Sequence, residues 1–271
     1  MFEGVRLLAV DVDGTLLTRD RHILPAVKEA VHRAQESGLI VLPATARSPV
    51  ALRTVLRDLE FEGVSVCFSG AWTGRIALDG APAVTEREEV LEPETARIIA
   101  DEIGAAGLIA NWYRGEAWLV PRITPEAKRE ARATGQDFEI VLDPLAVVGA
   151  PNKILAIGPE ERLTALATRL KARGDLRFDA VFSHTDYMEF LPKAIDKASA
   201  VLAYAAGLGI SSRAIAAVGD AQNDICMVRA AGLGVAMGNA VSALKDVADW
   251  VTGTNEEGGV AQLIERILAG K

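Results

Sequence analysis

The chain is short of the side chains that staple small folds or bind soft metals. Its two cysteines, Cys67 in an apolar run and Cys226 in a helical stretch, supply neither a disulfide framework nor zinc-ligand spacing. Both are expected to be buried as small hydrophobic groups. Only three histidines occur, His22, His32 and His184, too scattered for a zinc site. His184 can line an interdomain cleft or serve as an ordinary surface or packing residue. Basic charge is not in excess: 29 Lys and Arg stand against 37 Asp and Glu, for a net charge of -8. That balance disfavours non-specific binding to nucleic acid or to anionic membrane. No apolar run reaches membrane-spanning length, and the N-terminal segment lacks the basic and apolar regions of a secretory signal, so a cytoplasmic location is expected. Internal repeats and low-complexity tails are also missing.

What is present is a hydrophobic half of a 271-residue chain, enough for a large core domain with a smaller one inserted. Val5 to Val10 is a nearly continuous apolar run that suits a strand buried on both faces. Pro25 opens a helical pattern with Val27, Ala30, Val31 and Ala34 on one face, and Gly38 marks its end before a second apolar run, Leu39 to Leu42. Another helical segment from Pro49 to Leu59 leads to a third run, Val64 to Phe68, and Ala214 to Val218 repeats the pattern. The spacing predicts an α/β fold with a doubly wound, mostly parallel sheet. Between residues 86 and 184 the character changes: Trp112, Tyr113 and Trp118 cluster, helical patterns cover Pro93 to Ala106 and Glu160 to Ala172, and Lys153 to Ile157 reads as a strand. The expected organisation is a core from residues 1–85 and 185–271 with an α+β insertion over 86–184.

The sharpest local signal is Asp11-Val12-Asp13-Gly14-Thr15 directly after a buried strand. Residues two apart on an extended chain face the same side, so both carboxylates can approach one site at the carboxyl end of a strand. Crowded carboxylates repel unless a cation or a shared proton relieves them. A polar turn with a flexible glycine is the alternative for this segment alone. A second acidic segment, Gly219-Asp220-Ala221-Gln222-Asn223-Asp224, follows another apolar run, and by itself it fits an ordinary helix N-cap at Asp220. Parallel neighbouring strands would bring the two segments together into a hard, oxygen-lined site suited to Mg2+. Thr45 and Lys197 are candidates to balance charge on a transferring phosphate, whereas Lys193 reads as a solvated charge.

Taken in order, four segments resemble the motifs of haloacid dehalogenase superfamily phosphatases, in the Cof-type group with a large cap: DVDGTLL at Asp11 to Leu17, ATAR at Ala44 to Arg47, EFLPKAIDKASA around Lys197, and GDAQNDICM at Gly219 to Met227. AGLGVAMGNA, from Ala231 to Ala240, and Ala248 to Thr252 fit the same pattern. The resemblance implies Asp11 as nucleophile and metal ligand, and Asp13 as general acid and base that also offers a backbone carbonyl to the metal. It implies Lys197 as the charge neutraliser, Asp220 and Asp224 as metal-site carboxylates, and Thr45, Ala46, Arg47, Ser69 and Asn223 around substrate and phosphate. Ala46 stands where glycine is common, Ser69 where asparagine is common, and Ala198 where glycine often follows the lysine. The Ser69 change bears on substrate preference more than on catalysis.

The implied activity is magnesium-dependent hydrolysis of a small phosphorylated metabolite, a sugar phosphate first, by a monomer or homodimer. Phosphates of a nucleotide, flavin, pyridoxal or glycerate derivative are the alternative substrates, and a non-catalytic phosphate-binding regulator is the alternative function. Trp112, Tyr113 and Trp118 either stack on a flat ligand or form the cap's own core, and Arg114 either holds a second anion or is an exposed loop charge. The long segment between Ser69 and Lys197 places the cap there, which argues against a phosphomutase layout. Gly232-Leu233-Gly234 is expected to precede a strand rather than to open a dinucleotide-binding helix.

Overall fold

The computed structural model describes residues 2–270. A run whose every side chain is buried has to lie between two layers, and Leu7–Val10 does so as β1, near the middle of a parallel sheet. The helix Pro25–Glu36 follows, with proline in its first turn and Val27, Ala30, Val31 and Ala34 buried. It stops ahead of Gly38, whose φ of +80° reverses the chain into β2 (Ile40–Pro43). Ser48 caps the helix Pro49–Leu59 by accepting the Ala51 N–H, and that helix leads to β3 (Val64–Cys67).

The third apolar run adjoins the parallel sheet only through a single bridge between Ala44 and Val66. It belongs instead to a three-stranded antiparallel sheet with β4 (Trp72–Arg75) and β5 (Val84–Glu88). The cause is local: Phe68 and Ser69 both take positive φ and turn the chain back immediately after β3.

Six further strands make a second sheet: β6 (Ala110–Arg114), β7 (Ala117–Val120), β8 (Glu139–Ile140), β9 (Lys153–Ile157), β10 (Phe178–His184) and β11 (Tyr187–Pro192). Their order is β10-β11-β9-β6-β7-β8, antiparallel except for β7 with β8. Helices Pro93–Ala105 and Glu160–Ala172 cover one face, packing on Trp112, Ile154 and Phe190. Successive strand residues point to opposite faces, so Tyr113, Trp118 and Leu155 turn the other way and join Phe68 and Leu52 of the first part of the chain. The sheet runs past residue 184, where the sequence places the return to the core, and includes β11. Residues 185 and 186 are only the turn of the β10–β11 hairpin, and β5 likewise straddles residue 85.

The chain then adds helix Lys197–Gly207, β12 (Ile215–Gly219), β13 (Leu233–Ala236) and β14 (Trp250–Val251), giving the all-parallel order β14-β13-β12-β1-β2. Gly232 does precede a strand, as expected. Cys67 is buried, but Cys226 is exposed, because the short helix Ile225–Ala230 turns Met227 and Val228 inward instead. Among the described residues no helix is long and apolar enough to cross a membrane. Leu8, fully buried on β1, anchors the sheet whose end carries Asp11. Leu8→Ala should cost about 2–5 kcal/mol, read as a lowered urea midpoint with an unchanged slope; a loss within error would show that β1 does not hold the core together.

Candidate active site

β1 and β12 pair in parallel with Val10 opposite Val218, so the residues after each strand, Asp11 and Asp220, emerge at the same end of the sheet. Asp11 is 5% exposed, Asp224 is 0% exposed, and between them lies Lys197, 1% exposed. The Lys197 Nζ donates to Asp11 Oδ1 at 2.6 Å and to Asp224 Oδ1 at 2.7 Å. Asp196 sets this up by capping helix Lys197–Gly207, its carboxylate accepting the Ser199 N–H at 2.8 Å. Lys197 is therefore an inward first-turn residue, not a solvated charge. Lys193, by contrast, is half-exposed and pairs with Asp179 at 2.5 Å.

The second acidic segment is wired differently from a helix N-cap at Asp220. Asp224 Oδ2 accepts the N–H groups of Asp220 and Ala221, at 3.0 and 2.9 Å, while Asp220 Oδ1 accepts the Thr15 hydroxyl at 3.1 Å. The Asp220 carboxylate is thus turned toward the first acidic segment. Two glycines allow this approach. A Cβ on Gly14, at φ +79°, would lie 2.4 Å from Asp220 Oδ2, and one on Gly219 would lie 2.4 Å from Asp224 Cγ.

Asp11, Asp220 and Asp224 each offer an oxygen, and the three atoms lie within 4.8 Å of one another. This donor set fits a hard divalent cation. The electrostatics point the same way. Burial first, and then the charges of Asp224 and Asp220, push the Asp11 carboxyl well above the ordinary range despite Lys197. Burial and Asp224 push Asp220 up to about 6. Burial works against the Lys197 ammonium, but Asp11 and Asp224 outweigh it and hold its proton more tightly than usual. Three clustered carboxylates against one lysine leave a negative surplus that a divalent cation would neutralise.

Asp13 faces elsewhere. Its carboxylate takes a two-pronged contact from Arg47, at 2.7 and 2.6 Å, with 53% of the side chain exposed. Enclosure tends to raise this carboxyl, but the Arg47 hydrogen bonds and charge, with Arg21 behind them, hold it below the usual value. Thr45 is buried, and its hydroxyl accepts the Arg47 N–H at 3.2 Å.

A pocket of about 600 Å³ opens between the end of the parallel sheet and the second sheet, lined by Asp11, Asp13, Thr45, Ala46, Arg47 and Asn223. Ser69 is not among its lining residues; its hydroxyl donates to Glu189 Oε2 at 3.2 Å. His184 does reach the pocket wall. Arg114 is not a loop charge: it sits on β6, donates to the Ala150 carbonyl at 2.8 Å and pairs with Glu88.

Sequence reasoning missed the opposite wall. Lys153, 5% exposed, donates to the Ala46 carbonyl at 2.8 Å and to Glu189 Oε1 at 3.1 Å, so the second sheet touches the Thr45 loop directly. The available signal was a charged residue inside each of two otherwise apolar strands, KILAI and YMEFLP. Arg21, which donates to the Ala133 carbonyl, was missed as well.

The Asp220 value fixes a sign for metal binding. A carboxyl raised from 3.8 to about 6 holds a proton in the chelated folded protein, and that contribution to stability is lost as pH rises through about 6. Metal binding needs the carboxylate. The gain in melting temperature from millimolar Mg2+ should therefore grow between about pH 5 and pH 7, and the growth should shrink in Asp220→Asn. A gain independent of pH would show that these carboxylates are not the ligands.

The haloacid dehalogenase-like hydrolase family model matches residues 8–264. An HMP-PP phosphatase of Yersinia enterocolitica is 28% identical over 270 residues, covering 97% of this chain and 96% of its own. A 5-amino-6-(5-phospho-D-ribitylamino)uracil phosphatase of Bacillus subtilis is 27% identical over 294 residues, covering 98% and 99%. The crystal structure of a haloacid dehalogenase-like hydrolase from Bacteroides thetaiotaomicron superposes with a TM-score of 0.86 at 28% identity, over 97% of this chain and 99% of that one. A match that runs through both segments of the parallel core and everything between them makes this chain a member of the haloacid dehalogenase-like hydrolase family and a phosphatase of its Cof-type group.

Proposed function

We propose that the chain is a magnesium-dependent phosphomonoesterase of small phosphorylated metabolites, sugar phosphates first, working through phosphoryl transfer to Asp11. The observation that carries this reading is the Asp11 carboxylate at the pocket floor, held at 2.6 Å by a fully buried lysine beside two further carboxylates. Asp11, Asp220 and Asp224 would hold Mg2+, with Asp13 adding its backbone carbonyl as the resemblance implies. When bound, the ion supplies positive charge against the carboxylates and the phosphate oxygens.

In the first step an Asp11 oxygen attacks phosphorus, the bond to the leaving oxygen breaks, and Asp13 gives that oxygen a proton. In the second step water attacks the aspartyl-phosphate and Asp13 takes its proton, freeing Asp11 and inorganic phosphate. Lys197 steadies the charge between Asp11 and phosphate, while Thr45, Asn223 and the backbone around Ala46 cradle the phosphate. The grip of Arg47 on Asp13 favours the carboxylate needed in the second step. The first step requires that grip to loosen as substrate enters.

The second sheet acts in this reading as a cap, residues 86–184 extended through β11, over a core built from the two ends of the chain. Its opening admits substrate and its closure excludes water. Lys153 on the Ala46 carbonyl and Gln136 with Ser48 would be the contacts made and broken. A cytoplasmic location and a monomer or homodimer complete the proposal. Phosphates on flat-ring leaving groups remain the second reading, since the name of the Bacillus relative specifies a phosphoribityl uracil.

Phosphate release from sugar phosphates, nucleotides, flavin and pyridoxal phosphates should require Mg2+ and fall by roughly a thousandfold or more in Asp11→Asn. Release that persists in folded Asp11→Asn would remove the nucleophile assignment. Asp13→Ala should slow single-turnover release of the leaving group by about 100-fold or more for sugar phosphates and far less for p-nitrophenyl phosphate, because nitrophenolate leaves without a proton; the second step, where Asp13 acts as base, is common to both. Equal losses on both would contradict a general-acid role.

A further inference from the structure

Tyr113 was weighed on sequence as a stacking platform, and its surroundings exclude that. The ring lies against Trp118, with centroids 5.3 Å apart and planes within 16°, and Phe68 packs on it at 5.8 Å. Lys153 Nζ stands 5.2 Å from the ring centre. Trp118 is itself pinned by its Nε1–H, which donates to Asn111 at 3.2 Å. The residue is 3% exposed, so no face of the ring is free for a flat ligand.

The hydroxyl is a different matter. It has no hydrogen-bond partner among the described residues, yet the one sealed side-chain atom without a partner is Ser65 Oγ. Tyr113 lines the pocket, so its unpartnered hydroxyl is the part that meets the pocket space. Burial, followed by the charges of Glu130 and Glu189, holds the phenol well above its usual value, so it stays protonated. The neighbouring Tyr187 hydroxyl is already spent, donating to Glu130 at 2.8 Å.

The charges on the same wall are also spoken for. Lys153 pairs with Glu189 at 3.1 Å, and Arg129 pairs with Asp186 at 2.5 Å. With Glu130, three carboxylates face two cations, and His184 adds a 2.7 Å contact to Asp186. Arg47 pairs with Asp13, whereas Arg21 lines the pocket between the two walls and its side chain donates, among the described residues, only to the Ala133 carbonyl.

Resting on the phosphatase reading above, we propose that Tyr113 is a substrate-binding residue whose hydroxyl hydrogen-bonds a hydroxylated leaving group. The ring stack fixes the hydroxyl in place, so little side-chain freedom is lost when substrate binds. A sugar or polyol arm supplies the partner that the protein does not.

The test uses Tyr113→Phe, which keeps the packed ring and removes one oxygen. Its kcat/KM for hexose and pentose monophosphates should fall roughly three- to tenfold, with phenyl phosphate, whose leaving group carries no further polar group, unchanged. Equal losses on sugar phosphates and phenyl phosphate would mean that the tyrosine only supports the fold, and no loss on either would mean that the hydroxyl is idle; both overturn the assignment. If the folded wild type with Mg2+ releases no phosphate even from p-nitrophenyl phosphate, the phosphatase reading itself fails and takes this proposal with it.

Discussion

One ammonium group, shut away from water, holds two carboxylates that the chain brings from positions 11 and 224. Removing the lysine would leave both buried carboxylates without their partner, an arrangement that costs several kcal/mol. The parallel pairing of β1 with β12 places the two acidic segments side by side, and Asp196 aims Lys197 between them. Gly14 and Gly219 permit the close approach. Much of the core can thus be understood as the scaffold that tolerates this crowding. Such charge density at the end of a sheet is a poor way to build stability and a good way to bind a cation and a phosphate.

The parallel core was legible in the sequence because short, wholly apolar runs have few other places to go. Leu7–Val10, Ile40–Pro43 and Ile215–Gly219 all lie where their pattern suggests, and the helices at Pro25 and Glu160 begin where proline and periodicity put them. The acidic segments were legible because paired carboxylates after buried strands need a reason. Less was visible where a decision depends on tertiary partners. Val64–Cys67 leaves the parallel sheet because two residues take positive φ, and nothing in its apolar pattern records that. The β11 strand looks like a return to the core until its hairpin with β10 is seen.

The site divides in the same way. Asp11, Asp220 and Asp224 converge as the placement of their segments after parallel strands suggested, and Lys197 joins them as the resemblance implied, but the hydrogen bonds among them do not follow the simple capping pattern, since the direction of a cap depends on which carboxylate finds a better donor. Lys153 and Glu189 escaped notice because each sits within an apolar strand whose burial dominates its pattern. Their pairing shows how the second sheet is built: one face packs on helices, and the other packs Tyr113, Trp118 and Leu155 against the first part of the chain and carries the Lys153–Glu189 pair. The pocket therefore has two unlike walls, an electrically loaded floor at Asp11 and a largely self-satisfied roof. On the proposed reading, phosphate chemistry belongs to the first and the choice of leaving group to the second.

The most direct test is to trap the covalent intermediate. Protein mixed with a phosphate-labelled substrate in Mg2+ and quenched in acid should carry acid-stable label on one peptide, the N-terminal one containing Asp11, at an amount that rises and then decays with single-turnover kinetics. Label on any other residue, or full turnover with no label at the earliest quench times, would contradict the assignment of Asp11 as the nucleophile.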